Sequence, residues 1–351
     1  MDPVRLGVVG CGVIGPTHMQ AAVDSPHLEL VAVADLIEER ATAAAERFAV
    51  PKTYRSGSEL LDDPGVEAVV LAFPTGTRTA LALEALAKGK HVLLEKPVAM
   101  DCGEVRQMMA ARGDLQVACC SSRMRFTESA RVATELIASG ALGPLRVVRH
   151  RCVQACGPKP ERPRPDWRMI RARNGGGYLV NWGCYDLDYL LGITGWSLRP
   201  TAVLAQTWRV PPQFESHIWP GSDAEAHYAA LVRCEGGAVL TLERGEYMAA
   251  ETENAWQVVG TQGSLTLQMT RANPWRILHT DTSTDEGATT TTLWEGGEAA
   301  AKPLSHPAVD LAEAIRLGRR PATDLERSLV VQGITDAIYA SAESGEAVAV
   351  G

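Results

Sequence analysis

Val4-Arg5-Leu6-Gly7-Val8-Val9-Gly10-Cys11-Gly12-Val13-Ile14-Gly15-Pro16 decides the fold of the first half of this chain. A short aliphatic run with the composition of a buried strand ends on GxGxxG, and Pro16 stands where a helix begins, since its fixed φ suits a first helical turn. Glycines at 10, 12 and 15 let the backbone come close to a diphosphate, whose charge the free N–H groups and dipole of that helix stabilise. Gly10, Gly12, Val13 and Ile14 are therefore candidate cofactor-binding residues. Asp35 closes the next aliphatic run 20 residues after Gly15, where a carboxylate can accept both ribose hydroxyls of an adenosine. An Asp at this place can also cap a helix starting near Glu38. The carboxylate repels a 2′-phosphate, and Leu36 and Ile37 follow it instead of an arginine, so NAD is expected ahead of NADP. Arg40 is left as a cation that could receive the extra phosphate.

Outward from that loop the pattern repeats. Residues 28–35, 66–73, 91–95 and 115–121 are short aliphatic runs, and 38–48, 77–88 and 102–111 between them carry apolar residues three and four apart. These are the periods of buried parallel strands and covering helices. Repeated βαβ units make a doubly wound Rossmann sheet. From residue 145 the runs lengthen and alternate, at 145–153, 202–210, 227–243, 254–259 and 264–269, joined by turns such as Glu235-Gly236-Gly237 and Thr261-Gln262-Gly263. That pattern belongs to an antiparallel sheet. Helices are expected near 307–317 and 324–341, and the Thr-, Gly- and Glu-rich stretch 280–301 reads as a solvated hairpin or loop. Only four of the 19 aromatic residues precede residue 150 and all eight tryptophans follow residue 166, so the halves are differently built. The expected class is α/β: an N-terminal Rossmann domain at 1–122, and at 123–351 a C-terminal α+β domain with a large, mainly antiparallel open sheet.

The 351 residues exceed twice the roughly 150 of an average domain, which agrees with two domains. A net charge of −8 without a concentrated basic patch speaks against a nucleic-acid partner. No apolar run approaches the roughly 18 residues of a membrane span, and the first strand begins without a signal-type leader. No membrane partner and a cytoplasmic location are expected. The eight cysteines form no CxxC pair and no Cys/His cluster at zinc spacing, so reduced thiols and no metal are expected.

His91-Val92-Leu93-Leu94-Glu95-Lys96-Pro97 puts Lys96 at the carboxyl end of a buried parallel strand, the edge where doubly wound sheets hold ligands. A strand-end lysine ordinarily reaches solvent, but one at this edge can face a nicotinamide. Asn174-Gly175-Gly176-Gly177-Tyr178-Leu179-Val180-Asn181-Trp182-Gly183-Cys184-Tyr185-Asp186-Leu187-Asp188 is a glycine-rich loop running into a helix. Asn181, Tyr185 and Asp188, four and three residues apart, fall on one helical face. Such faces are ordinarily solvated or packed.

With these motifs the chain resembles the glucose–fructose oxidoreductase/inositol dehydrogenase family, Gfo/Idh/MocA. The resemblance extends over nearly the whole chain. It rests on Gly10 to Gly15, Pro74-Thr75, Gly89-Lys90-His91 through Glu95-Lys96-Pro97, Arg123-Met124-Arg125-Phe126, Ile137 through Gly143, the triple-glycine segment and Ala337-Ile338-Tyr339-Ala340-Ser341-Ala342. It implies oxidation or reduction of a secondary hydroxyl of a sugar or cyclitol. It also implies cofactor contacts from Pro74, Thr75, Glu95 and Lys96, with Lys96 catalytic, and a homodimer or homotetramer built on the open face of the second sheet. Members pair the lysine with an Asp and a His, where this chain has Asn181 and Tyr185. Asn181 cannot take a proton and is expected to bind substrate hydroxyls. Tyr185 can act as the acid/base if a neighbouring ammonium such as Lys96 lowers its pKa. Arg123, Arg125, Trp167, Arg168 and Asp188 are expected to complete the substrate pocket, since Trp faces stack on sugar C–H surfaces and Arg forks grip anionic groups. Arg78 stands where many relatives carry a His, with cofactor phosphate, substrate and solvent all open as its contact. The leading expectation is an NAD(P)-dependent sugar-type dehydrogenase. The alternatives are a redox-neutral glycoside hydrolase working through a transient keto-sugar and a non-catalytic NAD/sugar-binding regulator.

Overall fold

A computed structural model describes residues 2–163, 166–267, 275–285, 287–296 and 306–351. The chain forms two compact units, Met1–Arg123 with Lys302–Leu329 and Met124–Ala301 with Val330–Gly351. This differs from a single division after residue 122, because a late helix returns to the first unit.

The first unit runs β1 (Val4–Val9), α1 (Gly15–Asp24), β2 (Leu28–Ala34), α2 (Glu38–Phe48), β3 (Lys52–Tyr54), α3 (Gly57–Leu61), β4 (Ala68–Leu71), α4 (Arg78–Ala87), β5 (His91–Leu94), α5 (Cys102–Ala111) and β6 (Val117–Cys119). Its six strands lie in the order β3-β2-β1-β4-β5-β6, every neighbour parallel. β4 and the last three residues of β5 are buried throughout, the two-sided burial that continuous aliphatic runs imply. The strand order reverses between β1 and β4, so the loops after them open at the switch point where such sheets hold ligands. β3 and α3 are short and escaped the periodic reading. The available signal was Ser56 three residues before Glu59, a helix-start pair in which the Ser56 hydroxyl accepts from the Glu59 N–H.

The second unit begins with α6 (Glu128–Ala138), β7 (Leu145–Ala155), α7 (Arg171–Asn174) and α8 (Cys184–Ile193). Then come β8 (Pro200–Trp208), β9 (His227–Cys234), β10 (Val239–Met248), β11 (Glu253–Gly260), β12 (Gly263–Leu267), β13 (Trp275–Asp281) and β14 (Thr289–Gly296). The chain ends in α9 (His306–Leu317), α10 (Leu325–Ser344) and β15 (Val348–Ala349). Among the described residues, nine strands form one sheet in the order β14-β13-β12-β11-β7-β10-β9-β8-β15, antiparallel except for the parallel pair β7 and β10. Alternation along β9 and β10 sends Tyr228, Val232, Leu240 and Leu242 into a core with α8, while Leu204 and Leu231 on the other face stay 51% and 41% exposed. The Thr-rich stretch forms the β13–β14 hairpin, cross-braced by the Thr280 and Thr290 hydroxyls, with residues 286 and 297–301 outside the described residues. Among the terminal elements, Ala308, Leu311 and Ala312 of α9 pack into the core formed by Val4, Leu6, Met19 and Ala22, which is why α9 belongs to the first unit. The first residues of α10 also belong there, and its remainder joins the second.

Candidate active site

The glycine loop after β1 is shaped by close approach. Gly10 holds φ at +98°, and a Cβ on Gly15 would lie 1.9 Å from the Gly10 carbonyl oxygen. A Cβ on Gly12 would meet nothing within 4 Å, which leaves open space above the peptide. α1 starts without a side-chain cap at Ile14, so its own side chains do not take the first N–H groups. Asp35 at the end of β2 accepts from the Cys11 N–H at 2.7 Å and from the Ile37 N–H at 2.9 Å, which fixes its carboxylate beside the loop. Burial and the Asp35 charge push the Cys11 thiol up to about 12, so it stays neutral. These residues fit a dinucleotide: an uncapped helix start, a peptide with room over it, and a fixed carboxylate one strand away.

The turn after β5 carries Lys96, partly exposed, between two residues with buried side chains. Glu95 points inward and accepts from His18 Nε2 at 2.7 Å and from the Arg123 guanidinium, and it also receives the Lys96 backbone N–H at 3.1 Å. Burial alone raises the Glu95 carboxyl, but the Arg123 charge and the His18 hydrogen bond outweigh it and hold the group well below its ordinary value. Thus Glu95, expected to touch cofactor, also braces the turn. Arg123, expected against substrate, is buried as its counter-ion. His18, Glu95 and Cys120 bring their ligand-type atoms within 4.8 Å of one another, the kind of group that holds metals, although the Arg123 cation pairs with the same carboxylate. Burial and the Glu95 charge raise the Cys120 thiol well above its ordinary value. Pro74 and Thr75 follow β4, with Thr75 buried.

In the second unit the glycine-rich segment enters a π-helical turn, Leu179–Gly183, before α8. The wider turn holds Asn181 and ends before Tyr185, and both residues remain buried. Two of the three glycines are explained by close contacts: Cβ atoms on Gly176 and Gly177 would lie 1.8 Å from Tyr339 Oη and 1.9 Å from the Glu225 carbonyl oxygen. Glu225 organises the turn. Its carboxylate accepts from Gly177 N–H at 2.9 Å, Leu179 N–H at 2.9 Å and the Tyr339 hydroxyl at 3.0 Å. Burial nevertheless raises its pKa, because these donors offset only part of the lost hydration. Neither Glu225 nor a role for Tyr339 was visible from sequence, since both act across long separations.

Asn181 and Tyr185 are buried, with the Tyr185 ring 5.8 Å from that of Trp182. Arg168, Met169, Tyr178, Asn181, Ile218, Trp219 and Tyr247 line a narrow recess of about 10 Å³. Tyr247 holds a left-handed φ of 58°, the strained backbone found disproportionately at binding sites. Asp188 is fully buried and accepts from Arg125 Nε at 2.6 Å, so two expected substrate contacts are brought together as an interior ion pair. The Trp167 side chain lies outside the described residues. Asp186, beside Tyr185, is gripped bidentately by buried Arg244 at 2.6 and 2.7 Å.

Comparison with known proteins adds a family. Residues 4–121 match the description "Oxidoreductase family, NAD-binding Rossmann fold", and residues 130–266 match "GFO/IDH/MocA C-terminal domain". The chain is 24% identical to myo-inositol 2-dehydrogenase of Thermotoga maritima over 81% of its length and 80% of the relative's. It is 26% identical to an NADP-dependent D-xylose 1-dehydrogenase of Haloferax volcanii over 98% of its length and 99% of the relative's. A solved levoglucosan dehydrogenase in complex with NADH and levoglucosan shares the fold at TM-score 0.84, with 23% identity and 99% of each chain covered. With both halves matched, the chain belongs to the Gfo/Idh/MocA family, a family of NAD(P)-dependent oxidoreductases of sugars and cyclitols.

Proposed function

We propose that this protein transfers a hydride between nicotinamide and a secondary hydroxyl or keto carbon of a sugar, sugar derivative or cyclitol, with NAD preferred to NADP. The observation that carries the reading is the braced turn after β5, which holds Lys96 at the carboxyl edge of the sheet whose glycine loop fits a dinucleotide. Gly10, Gly12, Val13 and Ile14 present backbone to the pyrophosphate, and Asp35 accepts the ribose hydroxyls. Bound nicotinamide supplies the hydride acceptor or donor. Lys96 polarises the reacting oxygen, Tyr185 takes its proton during oxidation, and Asn181 orients neighbouring hydroxyls. Arg168 and Trp219 beside Asn181 suit a polar ligand with an apolar ring face. The open face of the nine-stranded sheet, with Leu204 and Leu231 uncovered, is assigned to a homodimer or homotetramer, which sedimentation checks.

The purified protein with NAD and a panel of aldoses, sugar acids and cyclitols is expected to form reduced nicotinamide, seen by its absorbance. Lys96→Met should abolish the signal, and Asp35→Ser should narrow the gap between NAD and NADP affinity in calorimetry. Full turnover by Lys96→Met sinks the catalytic reading, and tighter binding of NADP by the unmodified protein sinks the cofactor preference.

A further inference from the structure

We propose that Arg78 is a positioning residue that clamps the peptide on both sides of Lys96. The inference rests on the reading of Lys96 as the group that polarises the reacting oxygen. Arg78 opens α4 five residues after Phe73 and is only 2% exposed. Its Nη1 donates to the Glu95 carbonyl and, at 2.5 Å, to the Pro97 carbonyl, the two peptide oxygens that bracket Lys96. Its Nε donates at 3.1 Å to the carbonyl of Phe73, directly before Pro74 and Thr75. One planar fork thus ties the Lys96 turn to the loop after β4.

The bracketing is nearly complete. The Lys96 N–H is spent on the Glu95 carboxylate at 3.1 Å, and that carboxylate is itself held by His18 and Arg123. With the carbonyls of residues 95 and 97 held by Arg78, the backbone at Lys96 is fixed and only side-chain torsions remain to place its ammonium. A guanidinium suits this work because its donors leave in fixed in-plane directions, whereas an ammonium on a flexible stem satisfies one carbonyl without setting the angle of the other. Misplacing a reacting group by about 1 Å can cost about 10²-fold in rate, so a loosened clamp should appear in turnover before it appears in binding.

The test uses the full chain with NAD and the compound of the panel, myo-inositol, D-xylose and levoglucosan included, that the unmodified protein oxidises fastest. Arg78→Lys and Arg78→Ala are expected to lower kcat by about 10²-fold while KM and the calorimetric NAD affinity stay within about threefold. Millimolar guanidinium chloride, well below the melting temperature, is expected to restore part of the Arg78→Ala turnover and none of that of Lys96→Met. Arg78→Lys with unmodified kcat overturns the assignment. So does a lowered melting temperature with intact kcat, or failure of both variants to fold, since either makes Arg78 a stability residue. No turnover by the unmodified protein on any compound of the panel, or full turnover by Lys96→Met, removes the underlying reading and the inference with it.

Discussion

Tyr185 and Asp188 stand three residues apart, and the proposed mechanism gives the proton to Tyr185 alone. Asp188 is fully buried and paired with Arg125, and Tyr185, also buried, follows the π-helical turn that holds Asn181 at the recess. Tyr185→Phe should lower turnover by about 10² to 10⁴, the range for losing a general acid or base, and leave nucleotide affinity unchanged. Asp188→Asn should act through stability, because removing one partner of a buried ion pair costs about 3–5 kcal/mol. Steady-state rates paired with thermal melts separate the two. Full activity of Tyr185→Phe together with a well-folded but inactive Asp188→Asn would reverse the assignment. Residue types at motif positions were readable from the sequence, so Lys96, Asn181 and Tyr185 stood out. Which charges are spent internally was not readable: Glu95 and Arg123 meet 28 residues apart, and Asp186 and Arg244 meet 58 apart, with nothing local to mark either pair.

At the level of elements, the glycine-rich entry to α8 is a packing solution whose two tight glycines differ in kind. The Cβ of Gly176→Ala meets the tip of a tyrosine side chain, which can tilt, whereas that of Gly177→Ala meets the backbone oxygen of Glu225, which cannot move alone. Gly176→Ala should cost about 1–3 kcal/mol and Gly177→Ala more, with melting temperatures giving the order. Equal melting temperatures would show that the turn yields at both places. The parallel elements of the first unit were legible because each βαβ repeat is local and its punctuation is strong. The strands of the second sheet were legible as alternating runs, but their order was not. β7 pairs with both β10 and β11, about a hundred residues downstream, and only tertiary packing selects that partner. The π-helical turn was equally hidden, since the Glu225 carboxylate that accepts from the Leu179 N–H lies 46 residues downstream.

Across the whole molecule, one buried histidine ties stability to pH. His150 lies under Trp256 with ring centroids 4.0 Å apart, and burial lowers its pKa to about 4 although Asp186 is 3.5 Å away. Burial wins because Asp186 is already spent on Arg244, so the imidazole stays neutral. In the unfolded chain the ring takes up a proton near 6.5, which the folded protein refuses until about 4. Between those values the unfolded state binds more protons, and stability falls as pH drops, by about 3 kcal/mol from this residue, with no such loss above 6.5. His150→Phe keeps a ring against Trp256 and should flatten the acid limb of the melting temperature between pH 6.5 and 4. An unchanged limb would place the titration elsewhere. The division of the chain at this scale also has a consequence in time. The first unit takes α9 into its core, and α9 is the last helix but one to be made. At roughly 5–20 residues per second, a ribosome takes about 10–40 s to pass from the end of β6 to α9. For that interval the nascent glycine-loop sheet lacks the apolar cover of Ala308, Leu311 and Ala312, so the core of the half translated first cannot be completed until α9 has been made.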